Sequence, residues 1–380
     1  MNEDIRHILR CPITKGALRE MTTNEVKEVN SRIRRGELLH FDGTPVRSEV
    51  SSGFVSSAGQ MAYPVEQGIF MLLQNLAIVL DGGRVDRSSK GCLRKEKKEV
   101  QDFYEQVGWQ KVGEELFTDA LRFEDLRPVS KDYIHKCHLR VNRYLKTTGK
   151  YILDVASGPI QYPEYLSYSS CFDIRICVDI SFLALKEAMG KLRDRGIYLL
   201  ADITNLPLKD GSVDAVVSLH TIYHVPEDEQ ATAFHEIYRV LKPGSSAVVV
   251  YCRGSDSFFM KLPSLPLLSF RTTLMIMRML KASITRRLGK GKDRHFREFS
   301  KASEPKLYFH AHGYRYFTSQ LRGVDFDVLV WRSVSVPFMK KYIHSYLLGK
   351  HSLALIYWLE DRFPSVIGRL GQYPMFVIKK

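Results

Sequence analysis

Residues 152–158, Ile-Leu-Asp-Val-Ala-Ser-Gly, are the stretch that decides the fold. Apolar residues that run into a carboxylate and then into small residues are typical of a buried parallel strand that ends in a ligand-binding turn. The pattern places Asp154 near the end of the strand and Gly158 in the turn. Because small residues let the backbone approach a ligand closely, this turn is a candidate binding site.

Three later segments repeat this arrangement. Each is a short apolar run that leads to a polar residue: 174–178 leads to Asp179, 197–201 to Asp202 and 214–218 to His220. In an open parallel sheet, ligands bind at the carboxyl edge of the strands. We therefore expect Asp154 and the three later polar residues to meet at one edge of a sheet.

This ordered series, over residues 151–252, resembles the class I S-adenosylmethionine-dependent methyltransferases. The resemblance includes Leu206-Pro207 ahead of residues 210–214, Asp-Gly-Ser-Val-Asp, and the run 236–244, Glu-Ile-Tyr-Arg-Val-Leu-Lys-Pro-Gly. It implies an α/β fold built on a Rossmann-like, doubly wound, seven-stranded sheet. It also implies S-adenosylmethionine as the cofactor.

Composition and pattern divide the 380 residues into five predicted parts. These are a small β-rich module (1–80), a linker and helical cap (81–150), the Rossmann-like cofactor-binding core (151–254), a helical insertion after strand five (255–312) and the C-terminal part of the sheet (313–380). Residues 103–109 of the cap either line the cofactor site with aromatic rings or pack in the core. The insertion is predicted to form a lid over the acceptor.

The two ends of the N-terminal module, residues 8–18 and 61–72, resemble the small zinc-ribbon-type activator subunit of tRNA and release-factor methyltransferases. That family's metal site uses two cysteine pairs, whereas this module keeps Cys11 alone, with Thr14 at the partner position and no cysteine over 56–59. A structural zinc site needs four nitrogen or sulfur ligands, so we expect no zinc. The module is then either a docking or substrate-guiding unit or a vestigial packing domain.

The resemblance also implies roles for the polar residues at the strand ends. Asp154 would face the amino acid or ribose end of the cofactor, Asp179 would accept hydrogen bonds from the ribose hydroxyls, and Asp202 would meet the adenine amino group. An aspartate in such a position can instead cap the helix that follows it. The residues predicted to bind the cofactor are Asp154, Ala156, Ser157, Gly158, Asp179, Ile180, Asp202, Ile203, Ser218 and Leu219.

The glycine turn departs from the family pattern Asp-x-Gly-x-Gly-x-Gly. This chain has Ala156 at the first glycine, Gly158 at the second and Ile160 at the third. Pro159 stiffens the loop and disfavours a helical conformation at the residue before it. We therefore predict that the first helix of the core begins at Glu164 or later.

His220 and His224 are the predicted catalytic residues. They lie four residues apart beside the expected position of the transferred methyl group, and they share a face if this stretch is helical. A histidine that titrates near neutral pH can take a proton from a hydroxyl or amine acceptor. The alternatives are structural hydrogen bonding and metal binding. No acidic third ligand lies close in the sequence, so no metal site is predicted.

The formal net charge of +14 favours nucleic acid, an anionic membrane surface or an acidic substrate as a partner. Six cysteines lie scattered without paired spacing, which favours a reduced, cytoplasmic protein. No stretch approaches the ~18 uninterrupted apolar residues of a membrane-spanning helix.

Residues 270–288, within the insertion, carry apolar side chains at three- and four-residue intervals and basic ones towards the opposite side. This is the pattern of an amphipathic helix. It predicts either a lid helix over the acceptor pocket or a peripheral contact with an anionic membrane surface.

The predicted function is methyl transfer from S-adenosylmethionine to an O or N acceptor of a small molecule, such as a glycan or a lipid-linked metabolite. Specificity usually comes from segments grafted onto a shared fold, and the insertion lies where it could cover the acceptor. The alternatives are an RNA methyltransferase, with rRNA or tRNA as partner, and a non-catalytic cofactor-binding scaffold. The sequence defines no oligomeric state.

Overall fold

The computed structural model describes residues 3–81, 92–113, 116–145, 148–254 and 305–380, which build a twelve-stranded sheet and a separate hairpin. The strands of the sheet are β1 (Leu18–Glu20), β2 (Gly53–Ser56), β3 (Met61–Glu66), β4 (Ile69–Met71), β5 (Ile78–Val79), β8 (Gly149–Val155), β9 (Phe172–Asp179), β10 (Gly196–Leu200), β11 (Val213–Leu219), β12 (Leu241–Val250), β13 (Asp325–Arg332) and β14 (Tyr373–Lys379). The hairpin consists of β6 (Lys111–Val112) and β7 (Leu116–Phe117).

The α-helices of these ranges lie in the N-terminal module, in the cap and on the core sheet. They are α1 (Thr23–Arg34), α2 (Lys95–Phe103), α3 (Thr118–Phe123), α4 (Lys131–Arg140), α5 (Pro163–Leu166), α6 (Phe182–Leu192), α7 (Gln230–Val240), α8 (Tyr314–Gln320), α9 (Val336–Tyr342), α10 (Gly349–Arg362) and α11 (Pro364–Leu370). A π-helix over Tyr104–Gly108 continues directly from α2. Short 3-10 helices complete several turns, among them Ile222–His224.

Seven strands form the predicted Rossmann-like core sheet, in the order β10-β9-β8-β11-β12-β14-β13. The strands from β8 to β12 pair in parallel, and β14 runs antiparallel to β12 and β13. Ile152 and Leu153 of β8 pack into two different buried clusters, because successive residues of a strand face opposite sides. Strands buried on both faces read as continuous apolar runs. That is the signal by which the sequence revealed them, and the α/β prediction is confirmed.

The sheet is wider than the predicted seven strands because the N-terminal module joins its edge. β4 pairs in parallel with β10, with Ile69 opposite Tyr198 and Met71 opposite Leu200. β3, β2 and β1 then continue the sheet outward. An uncovered edge strand exposes a row of unpaired backbone groups, and the module satisfies those groups on β10.

The N-terminal module contains a helix that the prediction of a mostly β unit missed. The Thr22 side chain accepts a hydrogen bond from Glu25 N, and Glu25 accepts one from Thr22 N, which together form a capping box at the start of α1. Val29 and Ile33 of α1 are buried in a small cluster of the module. The spacing Thr-x-x-Glu is a recognised helix-start signal, so the helix was readable from the sequence.

Cys11 is buried in the main apolar core and contacts two polar groups there. Its Sγ accepts a hydrogen bond from Thr14 N at 3.3 Å and lies 3.1 Å from Tyr63 Oη. Within the described ranges, no group of His, Cys, Asp and Glu side chains is arranged to hold a metal ion. The role of the module stays a prediction.

The C-terminal part of the chain contains two separate helices, α9 and α10. α9 ends at Tyr342 and α10 begins at Gly349, and Leu348 between them has a φ of 54°. A non-glycine residue in the left-handed region does not continue a right-handed helix. This break separates α9, which lines the cavity at the carboxyl edge of the sheet, from α10 and α11.

The predicted amphipathic segment 270–288 lies outside the described residues, and of the insertion 255–312 the structure describes its last part, 305–312. In the part of the chain that is described, no helix is long and apolar enough to cross a membrane. All six cysteines are free thiols, and four of them are buried.

Candidate active site

A cavity of about 740 Å³ opens at the carboxyl edge of the core sheet. Eleven of the twelve predicted site residues line it: Asp154, Ala156, Ser157, Gly158, Asp179, Ile180, Asp202, Ile203, Leu219, His220 and His224. The strand ends therefore meet as expected for a parallel sheet.

Ser218 is the exception. It is fully buried and does not line the cavity, whereas its neighbour Leu219 does. Adjacent residues of a strand face opposite sides, so β11 presents Leu219 to the cavity. A contact of Ser218 with the cofactor stays a prediction.

The turn after β8 keeps the conformation of a glycine turn although two of its glycines are replaced. Ala156, Gly158 and Ile160 have φ values of 55°, 53° and 51°. A side chain at such a φ costs about 1 to 2 kcal/mol. The loop therefore pays strain at Ala156 and Ile160 to keep its shape, which is common at functional sites. α5 begins at Pro163, one residue before the predicted earliest start.

Aromatic side chains from the cap close over this turn. An added Cβ at Gly158 would lie 3.0 Å from Trp109 Cζ2, so the glycine leaves room for the indole ring. Trp109 stacks on Tyr104 with ring centroids 4.7 Å apart, and both residues line the cavity. Of the two interpretations of residues 103–109, aromatic lining holds for Tyr104 and Trp109, and core packing holds for Phe103.

Asp179 is a buried carboxylate that faces the cavity from the end of β9. Its Oδ2 accepts a hydrogen bond from Gly158 N and its Oδ1 accepts one from Ser181 N, both at 2.9 Å. Burial raises the pKa of Asp179 to about 6, against the two backbone N–H groups, which favour its charged form. The carboxylate therefore holds the glycine turn in place and keeps further lone pairs for a ligand.

Asp154 does not stand alone at the end of β8, because Arg175 of β9 neutralises it. Arg175 Nε donates to Asp154 Oδ2 at 3.0 Å, Nη2 donates to the same oxygen, and Nη1 donates to Tyr165 O at 2.6 Å. Burial raises the pKa of Asp154, and the charge of Arg175 opposes this. An arginine inside an apolar strand is a signal for a buried partner, and the sequence interpretation passed over it.

Asp202 caps a short helix and also faces the cavity, and its contact with adenine stays a prediction. Its Oδ1 caps the 3-10 helix after β10 by accepting from Thr204 N at 2.8 Å, and it also lines the cavity. Its Oδ2 accepts from Lys97 Nζ of α2 at 2.5 Å. Lys97 in turn lies 2.5 Å from Glu229 Oε2. This buried lysine ties the cap to the core sheet beside the site, a contact that sequence patterns do not indicate.

His220 and His224 line the same cavity but do not share a helix face. His220 has a φ of 60° at the end of β11, and His224 belongs to the 3-10 helix that follows. The His220 ring packs against Trp331, with centroids 4.5 Å apart. Burial, and next the positive charge of Arg332, lower the pKa of His220.

The position of its hydrogen-bond partner fixes the tautomer of His224. Nδ1 lies 2.7 Å from the carbonyl oxygen of Tyr308, so Nδ1 carries the proton and Nε2 is the acceptor nitrogen of the neutral ring. Burial lowers the pKa of His224 to about 4. Phe309, whose ring lies 6.1 Å from the His224 ring, also lines the cavity. The end of the insertion therefore reaches the site.

The far end of the cavity carries charged residues that the sequence interpretation missed. Arg332 Nη1, at the end of β13, donates to Glu124 Oε1 at 2.7 Å, and both side chains are buried. The guanidinium lies over the Tyr373 ring at 4.6 Å from its centroid. These groups come from segments more than 200 residues apart, so no local motif marks them.

Asp119 of α3 also lines the cavity, beside the turn that follows β8. With the Gln161 amide oriented so that both of its polar atoms find partners, its nitrogen donates to Asp119 Oδ2 at 3.1 Å and its oxygen accepts from Ala120 N at 2.8 Å. Burial raises the pKa of Asp119 to about 7, against the hydrogen bond from Gln161. A carboxyl group that titrates near neutral pH can accept a proton from a bound ligand.

Comparison with known proteins agrees with this architecture. Residues 153–249 match the family described as a methyltransferase domain. The chain is 33% identical to demethylmenaquinone methyltransferase from Renibacterium salmoninarum over 34% of its length and 56% of that protein. It is 29% identical to tRNA (carboxymethyluridine(34)-5-O)-methyltransferase from Arabidopsis thaliana over 32% of its length and 33% of that protein.

Among solved structures, the chain is similar to phosphoethanolamine N-methyltransferase 2 from Haemonchus contortus in complex with S-adenosyl-L-methionine. The two are 15% identical with a TM-score of 0.35, over 64% of this chain and 52% of that one. The chain thus spans between about a third and just over half of the length of these three proteins.

The sheet order, the strand-end cavity and the matched family define the core as a class I methyltransferase domain. Its cofactor is S-adenosylmethionine. The predictions of fold class and cofactor are confirmed at the level of this domain.

Proposed function

We propose that this protein transfers a methyl group from S-adenosylmethionine to an oxygen or nitrogen atom of a small molecule. The observation that carries the proposal is one continuous cavity. It joins the strand-end turn at Gly158 and Asp179 to the charged residues Glu124 and Arg332. Methyl transfer is an in-line displacement, so donor and acceptor must be held together in one enclosed space.

The residues at the strand ends fit the cofactor. Asp179 offers an ionised carboxylate to ribose hydroxyls, and the turn at Ala156 and Gly158 brings backbone close to the ligand. Trp109 and Tyr104 supply flat apolar surfaces over the same turn. S-adenosylmethionine, when bound, supplies a methyl group activated by a sulfonium. Exclusion of water by the cap would strengthen every polar contact inside the site.

Two further residues that line the cavity support the acceptor. His224 is neutral at pH 7 and presents an unprotonated Nε2, while Asp119 titrates near neutral pH. Asp119 can take the proton that a hydroxyl or amine acceptor loses on methylation. His224, whose pKa burial lowers to about 4, is a weak base, and its Nε2 can accept a hydrogen bond from the acceptor. His220 is neutral and packed against Trp331. We assign it to positioning.

An RNA acceptor is the second candidate. The net charge of +14 and the resemblance to a protein named as a tRNA methyltransferase favour it. Phosphate contacts make RNA binding fall steeply with salt. Binding of tRNA that weakens about a hundredfold or more from 50 to 200 mM salt, with methyl incorporation into the RNA, would replace the small-molecule proposal.

A non-catalytic scaffold that binds the cofactor is the third alternative, and the retained turn geometry fits it as well as it fits an enzyme. Ala156 and Ile160 hold a strained conformation that a protein without a ligand has no need to keep. The deciding experiment is calorimetric titration with S-adenosylhomocysteine, followed by a screen of small acceptors with radiolabelled S-adenosylmethionine. Binding with transfer to a small acceptor supports the proposal. Binding with no transfer to small acceptors or RNA supports the scaffold.

A further inference from the structure

An apolar surface is exposed on the C-terminal helices. Of the fifteen large hydrophobic side chains that are exposed within the described ranges, nine lie between residues 346 and 370. We call them the C-terminal apolar surface: Tyr346, Leu347, Leu348, Leu355, Trp358, Leu359, Phe363, Val366 and Leu370. Scattered exposed hydrophobic residues are ordinary, but a contiguous group marks a site of interaction.

The outer face of α10 forms the middle of this surface. Leu355, Trp358 and Leu359 follow the i, i+3, i+4 spacing that places side chains on one side of a helix, and Trp358 is 58% exposed. The opposite side of α10 packs against the protein, since Leu353 and Glu360 are buried. A helix on the surface of a soluble domain normally presents polar residues outward, so this face is unusual.

The surface continues on both sides of α10. In the loop before it, Tyr346 is 79% exposed and Leu348 is 68% exposed. After it, Phe363, Val366 and Leu370 recur at three- and four-residue intervals along α11. α10 alone, at 14 residues, is about 21 Å long.

Basic side chains surround this surface. Between residues 340 and 370 the chain has five Lys or Arg residues, all exposed: Lys340, Lys341, Lys350, Arg362 and Arg369. Its two acidic residues there face α4 instead, where Glu360 pairs with Arg140 and Asp361 pairs with Arg140 and Arg143. The outward charge is therefore positive at both ends of an apolar helix face.

We propose that the C-terminal apolar surface docks on an anionic lipid bilayer. A helix that lies in a membrane interface combines Trp and Leu on one side with Lys and Arg at the water boundary, and long basic side chains reach from the apolar layer to the lipid phosphates. The arrangement of Leu355, Trp358 and Leu359 between Lys350 and Arg362 meets these requirements.

The docking surface is connected to the cavity through α9. Val336, Pro337 and Lys340 of α9 line the cavity, and the loop after α9 carries Tyr346 and Leu348. The Arg127 guanidinium donates to Met339 O at 2.8 Å and to Ile343 O at 3.0 Å. It thereby anchors the end of α9 to the cap.

Docking at this place would present the acceptor end of the cavity to the membrane. The acceptor would then be an amphiphile held in the same bilayer. That consequence rests on the methyl transfer proposed above, whereas the docking itself does not.

The test is sedimentation of the full chain with two kinds of vesicle, one of phosphatidylcholine and one of phosphatidylcholine with phosphatidylglycerol. We expect binding to the anionic vesicles that is much tighter than to the neutral ones and that weakens as salt is added. Lys350→Gln with Arg362→Gln should weaken anionic binding about 30-fold, at about fivefold per cation. Leu355→Gln with Leu359→Gln should weaken it at least tenfold.

The matched control is Leu166→Gln, because Leu166 of α5 is exposed but lies outside this surface. It should leave vesicle binding unchanged. Equal binding to both vesicle types, or anionic binding that survives Leu355→Gln with Leu359→Gln, would overturn the proposal. A wild-type dimer that this double variant dissociates, without vesicle binding, would show instead that the surface joins two copies. Failure of methyl transfer with intact vesicle binding would count against the proposed function alone.

Discussion

The two ends of the cavity are built in different ways. The cofactor end consists of strand-end residues between 154 and 219, each following an apolar run in the sequence. The acceptor end joins Glu124 of the cap to Arg332 and Lys340 of the C-terminal part, with Phe309 from the insertion. The cofactor end is indicated by local sequence pattern. The acceptor end forms from distant segments that meet only when the chain folds.

One buried carboxylate at each end is held in a different way. At the cofactor end, Asp179 is satisfied by backbone N–H groups of the adjoining turns. At the acceptor end, Glu124 is paired with Arg332 across 208 residues. Local hydrogen bonds leave carboxylate lone pairs for a ligand, whereas the ion pair makes each partner depend on the other. Four experiments exploit this contrast.

The largest effect is expected at the acceptor end, from Arg332→Leu. It leaves Glu124 buried without its partner, and loss of one member of a buried pair costs about 3 to 5 kcal/mol of unfolding free energy. Urea unfolding measures this. Arg332→Leu with Glu124→Leu should recover a large part of the loss.

The control for this variant is Asp327→Ala, which removes the exposed pair between Asp327 and Lys379 at 2.8 Å. Asp327 and Arg332 lie on the same strand, β13. The exposed pair should contribute less than about 1 kcal/mol. Equal losses of unfolding free energy in Arg332→Leu and Asp327→Ala would show that burial does not make one ion pair contribute more than the other.

At the cofactor end, Asp179→Asn should weaken S-adenosylhomocysteine binding by about 10- to 100-fold. Hydrogen bonds to an ionised acceptor contribute about 1.5 to 3 kcal/mol each, and the amide retains one acceptor oxygen of the two. Calorimetry measures the affinity, and Asp173→Asn on the exposed start of β9 is the matched control. Unchanged affinity in the Asp179 variant would remove this residue from the cofactor site.

The pH dependence should separate the two carboxyl groups. Because burial raises the pKa of Asp179 to about 6, cofactor affinity should fall as the pH drops through 6, by up to about tenfold per pH unit. The contribution of Asp179 to folding stability changes with pH in the opposite direction. A pKa raised on folding means that the native state binds more protons between about pH 4 and 6, so this group destabilises the fold above that window and less within it.

The pH dependence of cofactor affinity should persist in Asp119→Asn, because Asp179 rather than Asp119 accepts the hydrogen bond from the glycine turn, although burial raises the pKa of Asp119 to about 7. It should vanish in Asp179→Asn. If the Asp119 variant instead abolishes the pH dependence, the two carboxyl groups are coupled.

The smallest effect is expected at Ala156→Gly. Glycine relieves the strain of a φ of 55° but loses more conformational entropy on folding. We expect a net gain of about 0.5 to 1 kcal/mol. Ala354→Gly, on the exposed side of α10, should lose about 1 kcal/mol because glycine disfavours helices. Thermal unfolding of the two variants should shift in opposite directions, and a shared direction would argue against strain at the turn.

The sequence by itself determined the core sheet and the cofactor end. Buried parallel strands are continuous apolar runs, and their carboxyl ends must share one edge, so Asp154, Asp179 and Asp202 could be placed without coordinates. Even the altered turn at Ala156 could be aligned with a glycine pattern. The burial of Ser218 away from the cavity follows from the two-residue period of a strand.

Only the tertiary structure decided the partners of those residues and the whole acceptor end. Arg175, Lys97 and Arg332 are basic residues that look like any others in a chain of net charge +14. Their roles follow from burial beside Asp154, Asp202 and Glu124. Burial of a charge is favourable only where folding brings an opposite charge within hydrogen-bond distance. That pairing joins distant segments, so no local pattern encodes it.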